Sequence, residues 1–287
     1  VTEGTIQCFQ KILYHQQYYR SIVNCKKLCT RHYAGDIYNM TEEITPAEIM
    51  CSAIARELKD KEVAIMGAYS MVPMLACRLA QELHAPNLTY IAGGSGAINP
   101  KLDPLAASSC DYANLKAEAV FSLPDIIDIE ASRVDVFFVG GLQIDIEGNL
   151  NLAYIGSKDG VKLRGPGNVG LPFITRAKRI IFYSNNHSKR MFVKKVDFVS
   201  APFTDKEGKS KLAMVITPKA IFDYDEPKKM FKLRSIHAKE GLNWLRENTG
   251  VEFLVDEPVK ESAIPTENEL TIMRKLDPKG IARYIAI

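Results

Sequence analysis

Histidine and tryptophan are scarce in this chain, with five histidines (His15, His32, His84, His187, His237) and one tryptophan in 287 residues. The histidines are scattered, so none of their spacings matches the paired ligands of a metal site. The six cysteines (8, 25, 29, 51, 77 and 110) include no Cys-x-x-Cys pair. Cys25 and Cys29 stand four apart without a second pair to complete a tetrahedral zinc site, and no metal is expected. Unpatterned cysteines point to a reducing compartment, so a cytoplasmic location is expected. The formal net charge is only +3, too small to supply the basic field of a nucleic-acid binder. No stretch reaches the roughly 18 uninterrupted apolar residues of a membrane helix. Val1-Thr2-Glu3-Gly4 has neither the basic start nor the apolar run of a signal peptide, and no membrane partner is expected.

What is present is a core-forming composition. Hydrophobic residues make up 46% and charged residues 25% of the chain, ordinary values for a protein that buries a sizeable core without disulfides. Residues 1–39 stand apart. They are rich in Tyr, His, Gln, Cys and Lys and show little periodicity, as in Tyr14-His15-Gln16-Gln17-Tyr18-Tyr19. Two readings of them stand: an extension, disordered or non-native, ahead of a natural start at Met40, or an arm that packs on a partner. Residues 40–287 show no internal repeat and no low-complexity linker, which predicts a single domain.

Helix and strand signals alternate along that domain. Thr45, Pro46 and Glu48 predict a capping-box start to a helix with apolar residues at positions 49, 53, 54 and 58. A strand is expected over Glu62–Gly67, a helix over Val72–Leu83 with Pro73 in its first turn, and a strand over Leu88–Ala92. Val134–Val139 has no polar interruption after Asp135, which predicts a strand buried on both faces. Arg179–Tyr183, Asp197-Phe198-Val199, Met214-Val215-Ile216 and Ala220-Ile221-Phe222 read as further strands. Leu242–Thr249 reads as a helix closed by Gly250, and Glu267–Lys275 as a last helix capped by Thr266. His84 falls at a helix C-terminus, and His237 reads as structural. The alternation predicts an α/β fold with a mainly parallel sheet flanked by helices.

In such a sheet ligands collect beyond the carboxyl ends of the strands, and glycine-rich turns recur along the chain. Gly67-Ala68-Tyr69-Ser70 opens onto a helix whose N-terminus suits an anion, although a tight strand-to-helix turn without a ligand is the simpler reading of a single glycine loop. Thr89-Tyr90-Ile91-Ala92-Gly93-Gly94-Ser95-Gly96-Ala97-Ile98-Asn99 runs a strand into three glycines within four residues, which lowers the steric cost of close backbone approach. The Ser95 hydroxyl would need an adjacent base to act as a nucleophile, and no histidine is near in sequence. Gly140-Gly141-Leu142-Gln143-Ile144-Asp145-Ile146-Glu147-Gly148-Asn149 combines a buried strand end with a Gln-x-Asp pair, and also reads as a hairpin turning at Glu147-Gly148-Asn149. Gly165-Pro166-Gly167-Asn168-Val169-Gly170 matches the dinucleotide pattern letter for letter, but its context fails. Lys162-Leu163-Arg164 make no convincing strand, Pro172 follows closely, and Ser184, Asn185 and Asn186 stand where an acid belongs. Arg176, Lys178, Arg179, His187, Lys189, Arg190, Lys194 and Lys195 read as a solvated basic face, or as contacts for phosphates or an acidic partner.

These segments together resemble the B subunit of family I coenzyme A transferases, the glutaconate type most closely, over residues 44–282. The chain is also similar to the B-like subunit of ring-cleaving coenzyme A hydrolases of steroid degradation, which shares the Pro-Gly-Asn of the third turn. The resemblance implies the coenzyme A transferase fold and a substrate carrying coenzyme A, with no covalently bound cofactor. It also implies a homologous A subunit in a heterodimer or heterotetramer, with the site at the subunit interface. Family members usually carry a catalytic glutamate in the second turn, as Glu-x-Gly-x-x-Gly or Glu-Ser-Gly. Here Gly94 holds that position, so no catalytic residue is identified in this chain. Carried over position by position, the expected acyl-CoA pocket takes in Gly94, Ser95, Gly96, Gly165, Gly167 and Asn168, with Gln143 and Asn149 organising the loop beside it. Asn168 replaces the second glycine of the family's Gly-x-Gly-Gly. A transferase would need a nucleophile from elsewhere. An acyl-CoA hydrolase, of the ring or carbon–carbon bond cleaving kind, could use water with a carboxylate from the A subunit, and a non-catalytic subunit would only bind coenzyme A or stabilise its partner. A sugar-phosphate sensor, which shares the fold, is disfavoured by Gln-Ile-Asp…Gly-Asn.

Overall fold

A computed structural model describes residues 43–237, 239 and 241–283. The separate segment expected over residues 1–39 lies outside the described residues, as do Cys8, Cys25, Cys29, His15 and His32. In chain order the first elements are α1 (Pro46–Glu57), β1 (Val63–Met66), α2 (Met71–Leu83), β2 (Thr89–Ala92), β3 (Ala97–Ile98), β4 (Ala119–Val120), α3 (Leu123–Ser132) and β5 (Val136–Val139). There follow β6 (Gln143–Asp145), β7 (Asn149–Asn151), β8 (Tyr154–Ser157), β9 (Gly160–Arg164), β10 (Arg179–Tyr183), β11 (Phe192–Val193), β12 (Ala201–Pro202) and β13 (Leu212–Ile216). The chain closes with β14 (Ala220–Asp225), β15 (Met230–Ile236), α4 (Gly241–Asn248), β16 (Leu254–Val255) and α5 (Glu267–Leu276).

Among the described residues the main sheet has ten strands in the order β16-β15-β14-β13-β10-β5-β1-β2-β3-β4. Its middle, β13-β10-β5-β1-β2, is parallel throughout. β14 and β15 extend one side antiparallel, and β3 and β4 extend the other. The period-2 geometry of a strand divides the core into two layers. On β5, Val136 and Phe138 pack with α1, α2 and α5, while Phe137 and Val139 pack on the opposite face with Ile144, Leu150 and Phe182. All four residues of β5 are buried, as its uninterrupted apolar run predicts. The second face is covered by a small sheet, β11-β6-β7-β12, and by a 3₁₀ turn at Leu171–Arg176.

The helix ends follow the local chemistry. Thr45 and Glu48 form the expected capping box on α1, with Pro46 in the first turn, and Thr266 with Glu269 does the same on α5. His84 is the C-cap of α2, and its ring bonds the Leu58 carbonyl at 3.0 Å. Four expectations need correction. Asp197-Phe198-Val199 is not a strand; its backbone is held by side chains, with the Asp197 N–H donating to Gln143 Oε1 at 3.0 Å. Residues 160–164 are a strand, β9, which among the described residues pairs only with β8 and is exposed along its length. Gly250 lies outside the left-handed region; it is demanded by close approach, because a Cβ there would collide with the Phe192 and Lys189 carbonyl oxygens. His187 does not belong to the solvated basic face, since it is buried at 6% exposure.

Candidate active site at the carboxyl edge of the sheet

Parallel strands deliver all their carboxyl ends to one edge, and two of the glycine turns meet there. The Gly93 N–H donates to the Met66 carbonyl at 2.9 Å, which seats the β2 turn beside the β1 turn. In the β2 turn the Ser95 and Gly96 N–H groups both donate to the Ala92 carbonyl at 3.0 Å, and Ser95 Oγ donates to it at 3.2 Å. Ser95 is therefore turned back on its own strand, and no base bonds it among the described residues. Gly96 has φ +74°, and a Cβ there would strike the Phe121 carbonyl, so only glycine fits. Gly94 is exposed. A Cβ built on it would overlap Cys110 Sγ, so the thiol of Cys110 stands where the side chain of residue 94 would project. The segment bearing Cys110 is tied to the β1 turn by Ser109 Oγ, which donates to the Gly67 carbonyl at 2.6 Å. Sequence reasoning did not single out Cys110, because its loop has no periodicity to place it.

The β1 turn carries its own signals. Tyr69 adopts φ +56° and is 66% exposed, a conformation that costs a non-glycine residue about 1 kcal/mol. Ser70, the N-cap of α2, makes no side-chain bond to the helix's free N–H groups. Its hydroxyl instead meets the Tyr183 hydroxyl at 2.7 Å. Burial pushes the Tyr183 phenol up to about 12, outweighing its bond to Ser70, so Tyr183 remains protonated and holds the turn against β10. Position 140, at the end of β5, faces the same tyrosine, 3.4 Å from the Tyr183 carbonyl for a built Cβ.

The remaining predicted residues sit just beyond β5. Asp145, fully buried, is the hub of the hairpin: it accepts from the N–H groups of Glu147 (3.0 Å), Asn149 (2.9 Å) and Val196 (3.1 Å), and from Asn149 Nδ2 (3.2 Å). Gly148, at φ +75°, makes the turn between β6 and β7. Gln143 Oε1 accepts from Asn151 Nδ2 at 2.7 Å. Gln143 and Asn149 thus order the hairpin from within. The Gly165 turn leans on this unit. A Cβ at Gly165 would strike the Leu152 carbonyl and Leu142, and the Gly167 N–H donates to the Leu152 carbonyl at 3.2 Å. Gly167 has φ +101° and open space around it, and Asn168 Oδ1 is buried without a hydrogen-bond partner among the described residues. The turn leads into a 3₁₀ turn instead of a long helix, which agrees with rejection of the dinucleotide motif. Among the described residues no cluster of three His, Cys, Asp or Glu could hold a metal ion, and no helix is long and apolar enough to cross a membrane.

A mainly parallel sheet with two glycine turns meeting at its carboxyl edge defines an α/β protein of the class whose ligands bind at that edge. The sequence matches the model of the family described as Coenzyme A transferase over residues 47–239. It is 30% identical over 250 residues to the B subunit of the 3-oxoadipate CoA-transferase of Pseudomonas knackmussii, covering 83% of this chain and 95% of that one. The B subunit of the glutaconate CoA-transferase of Acidaminococcus fermentans is 27% identical, with 82% and 93% covered. The cholesterol ring-cleaving hydrolase IpdB subunit of Rhodococcus jostii is 26% identical, with 83% and 95% covered. Among solved structures, the decarboxylase AibA/AibB superposes with a TM-score of 0.76 at 28% identity, covering 85% of this chain and 99% of the other. The chain belongs to the coenzyme A transferase family. Its relatives are enzyme subunits of three chemistries on one scaffold, so membership defines the fold and leaves the reaction to the site.

Proposed function

We propose that the chain is the B-type subunit of a heteromeric enzyme acting on acyl-CoA thioesters, with a homologous A subunit completing the site. The observation that carries this reading is the exposed Gly94 at the meeting of the β1 and β2 turns, in a chain similar along most of its length to the B subunits of two CoA-transferases. The reading assigns the acyl-CoA pocket to Gly94, Ser95, Gly96, Gly165, Gly167 and Asn168, with Gln143 and Asn149 ordering the hairpin that follows β5. Backbone N–H groups at the uncapped start of α2 suit the oxyanion of a polarised thioester. The edge offers no carboxylate at position 94 to form an acyl anhydride, so covalent transfer through this subunit lacks its first step. Hydrolysis needs no such group. A carboxylate of the A subunit takes a proton from water, the water oxygen bonds to the acyl carbonyl carbon, the carbon–sulfur bond breaks, and the thiolate leaves as coenzyme A. A reducing, cytoplasmic setting suits the free thiols of Cys51, Cys77 and Cys110.

The test is turnover of acyl-CoA by the chain purified with its A subunit. Release of free coenzyme A without any acceptor acid is the expected result. Strict dependence on an added carboxylate acceptor would replace hydrolysis with transfer. Coenzyme A binding without turnover would reduce the chain to a binding role.

A further inference from the structure

We propose that the chain carries a second ligand site, for a nucleotide-sized polyphosphate, at the sheet edge opposite the β1 and β2 glycine turns, where Ile146 of the β6–β7 turn forms part of its wall. It is a cleft of about 1000 Å³ walled by separate segments of the chain, a volume at the upper end for small-molecule sites. Lys194 follows β11, Lys228 and Lys229 belong to the β14–β15 turn, and Arg246 lies on α4, while Met230 and Phe253 add apolar wall. β14 runs antiparallel to β13, and β15 starts where β14 ends. The turn between them therefore lies at the amino ends of the parallel strands. A five-residue strand separates the two edges by roughly 17 Å. This inference does not rest on the acyl-CoA reading.

The charges argue for an anion. None of the four cations forms an ion pair with a carboxylate among the described residues. The carboxylates nearest the turn are engaged with backbone: Asp225 accepts the Lys228 N–H at 3.0 Å and Glu226 accepts the Ser210 N–H at 2.8 Å. Among the described residues Glu252 is the one acid lining the cleft. Like charges converging in a concave surface with apolar walls focus a positive potential. Ammonium groups and a guanidinium suit phosphate oxygens, with Arg246 able to bind two at once. Phe253 is held edge-on against Phe222, at 5.3 Å between centroids and 80° between planes, so it offers a fixed flat surface to a ring. Met230 adapts to the ring's outline. The ligand chemistry is thus phosphates joined to a planar ring, supplied by a free nucleotide or by the nucleotide end of coenzyme A.

Calorimetric titration of the full chain with ADP tests the site. The expected result is one ADP bound per chain, weakened about tenfold or more in the Lys228→Glu/Arg246→Glu variant by loss of charge-assisted bonds. Lys195→Glu, an exposed charge outside the cleft, should bind ADP like the unmodified chain, and all variants should melt alike. A repeat titration with coenzyme A already bound identifies the source: competition points to its nucleotide end, and simultaneous binding to a free nucleotide. Absence of ADP binding to the unmodified chain overturns the proposal, as does retained affinity in the double variant or an equal loss in Lys195→Glu.

Discussion

At the scale of single residues, Gly94 and Cys110 form a complementary pair. A side chain at 94 would meet Cys110 Sγ and lie 3.2 Å from both Cys110 Cα and its nitrogen. The glycine is thus held by its neighbour as much as by any need for backbone freedom. Restoring a carboxylate at this position is therefore a two-residue problem. Gly94→Glu should lower stability by about 1–3 kcal/mol through overpacking and give no acyl transfer. Gly94→Glu combined with Cys110→Gly should regain most of the lost melting temperature, since the thiol that blocks the new side chain is gone. Thermal unfolding of the two variants side by side checks this, and a single variant as stable as the parent would show that the Cys110 loop yields freely.

At the scale of elements, the two capping boxes are joined into one device. Glu48 uses Oε2 for the Thr45 N–H of α1 and Oε1 for Arg274 of α5 at 2.9 Å and for Arg283 at 3.0 Å. Glu269 caps α5 at Thr266 and meets Ser52 (2.8 Å) and Arg56 Nη2 (2.7 Å) of α1. Each helix start is thus fastened to the body of the other helix. Removing one buried charge strands its arginines, so Glu48→Gln should cost about 3 kcal/mol. Glu269→Gln should cost a similar amount. Because both act on one helix pair, the double variant should lose less than the sum by at least about 0.5 kcal/mol. Urea midpoints of the three variants test the coupling, and strict additivity would mean that the caps act independently. The capping box of α1 and the Thr266 cap of α5 were legible in sequence because both are local signals. Their cross-connection was not, since Glu48 and Arg274 lie 226 positions apart. The same division holds at the site. The Gln143–Asn149 segment was readable as a motif, but the hub role of Asp145 depends on Val196, 51 residues away. β9 escaped notice because it packs on no core that would mark one of its faces.

At the scale of the whole molecule, two histidines, His187 buried and His237 half-buried, make stability depend on pH. His187 bonds the hydroxyls of Thr217 and Thr249 at 2.9 Å each, between the rings of Phe192, Phe222 and Trp244. His237 bonds the Thr217 carbonyl at 2.9 Å and Ser262 at 3.0 Å. Thr217 therefore links both rings, and through them β11, β14 and α4. Burial, with the Lys219 charge and His237 adding to it, lowers His187 from 6.5 to about 4. Burial also lowers His237 to about 4, against the opposing effect of its bond to the Thr217 backbone. Between those values the unfolded chain takes up protons that the folded chain refuses. The stability these groups contribute is complete above pH 6.5 and is lost as the pH falls toward 4, by up to about 3 kcal/mol per ring. Glu269 extends the decline downward. Burial favours its neutral form, but its bonds to Arg56, Thr266 and Ser52 prevail and bring it to about 2; protonation below its ordinary 4.5 therefore also favours unfolding. Two losses of that size are comparable with the roughly 5–15 kcal/mol that holds a typical domain together, so cooperative acid unfolding is expected near pH 4. Urea unfolding at steps from pH 7.5 to 4 should show a midpoint that falls steadily below pH 6.5. His187→Gln should start less stable at pH 7.5 but lose its stability only about half as steeply, because one of the two titrating rings is gone. An unchanged slope would place the acid sensitivity elsewhere than in the rings around Thr217.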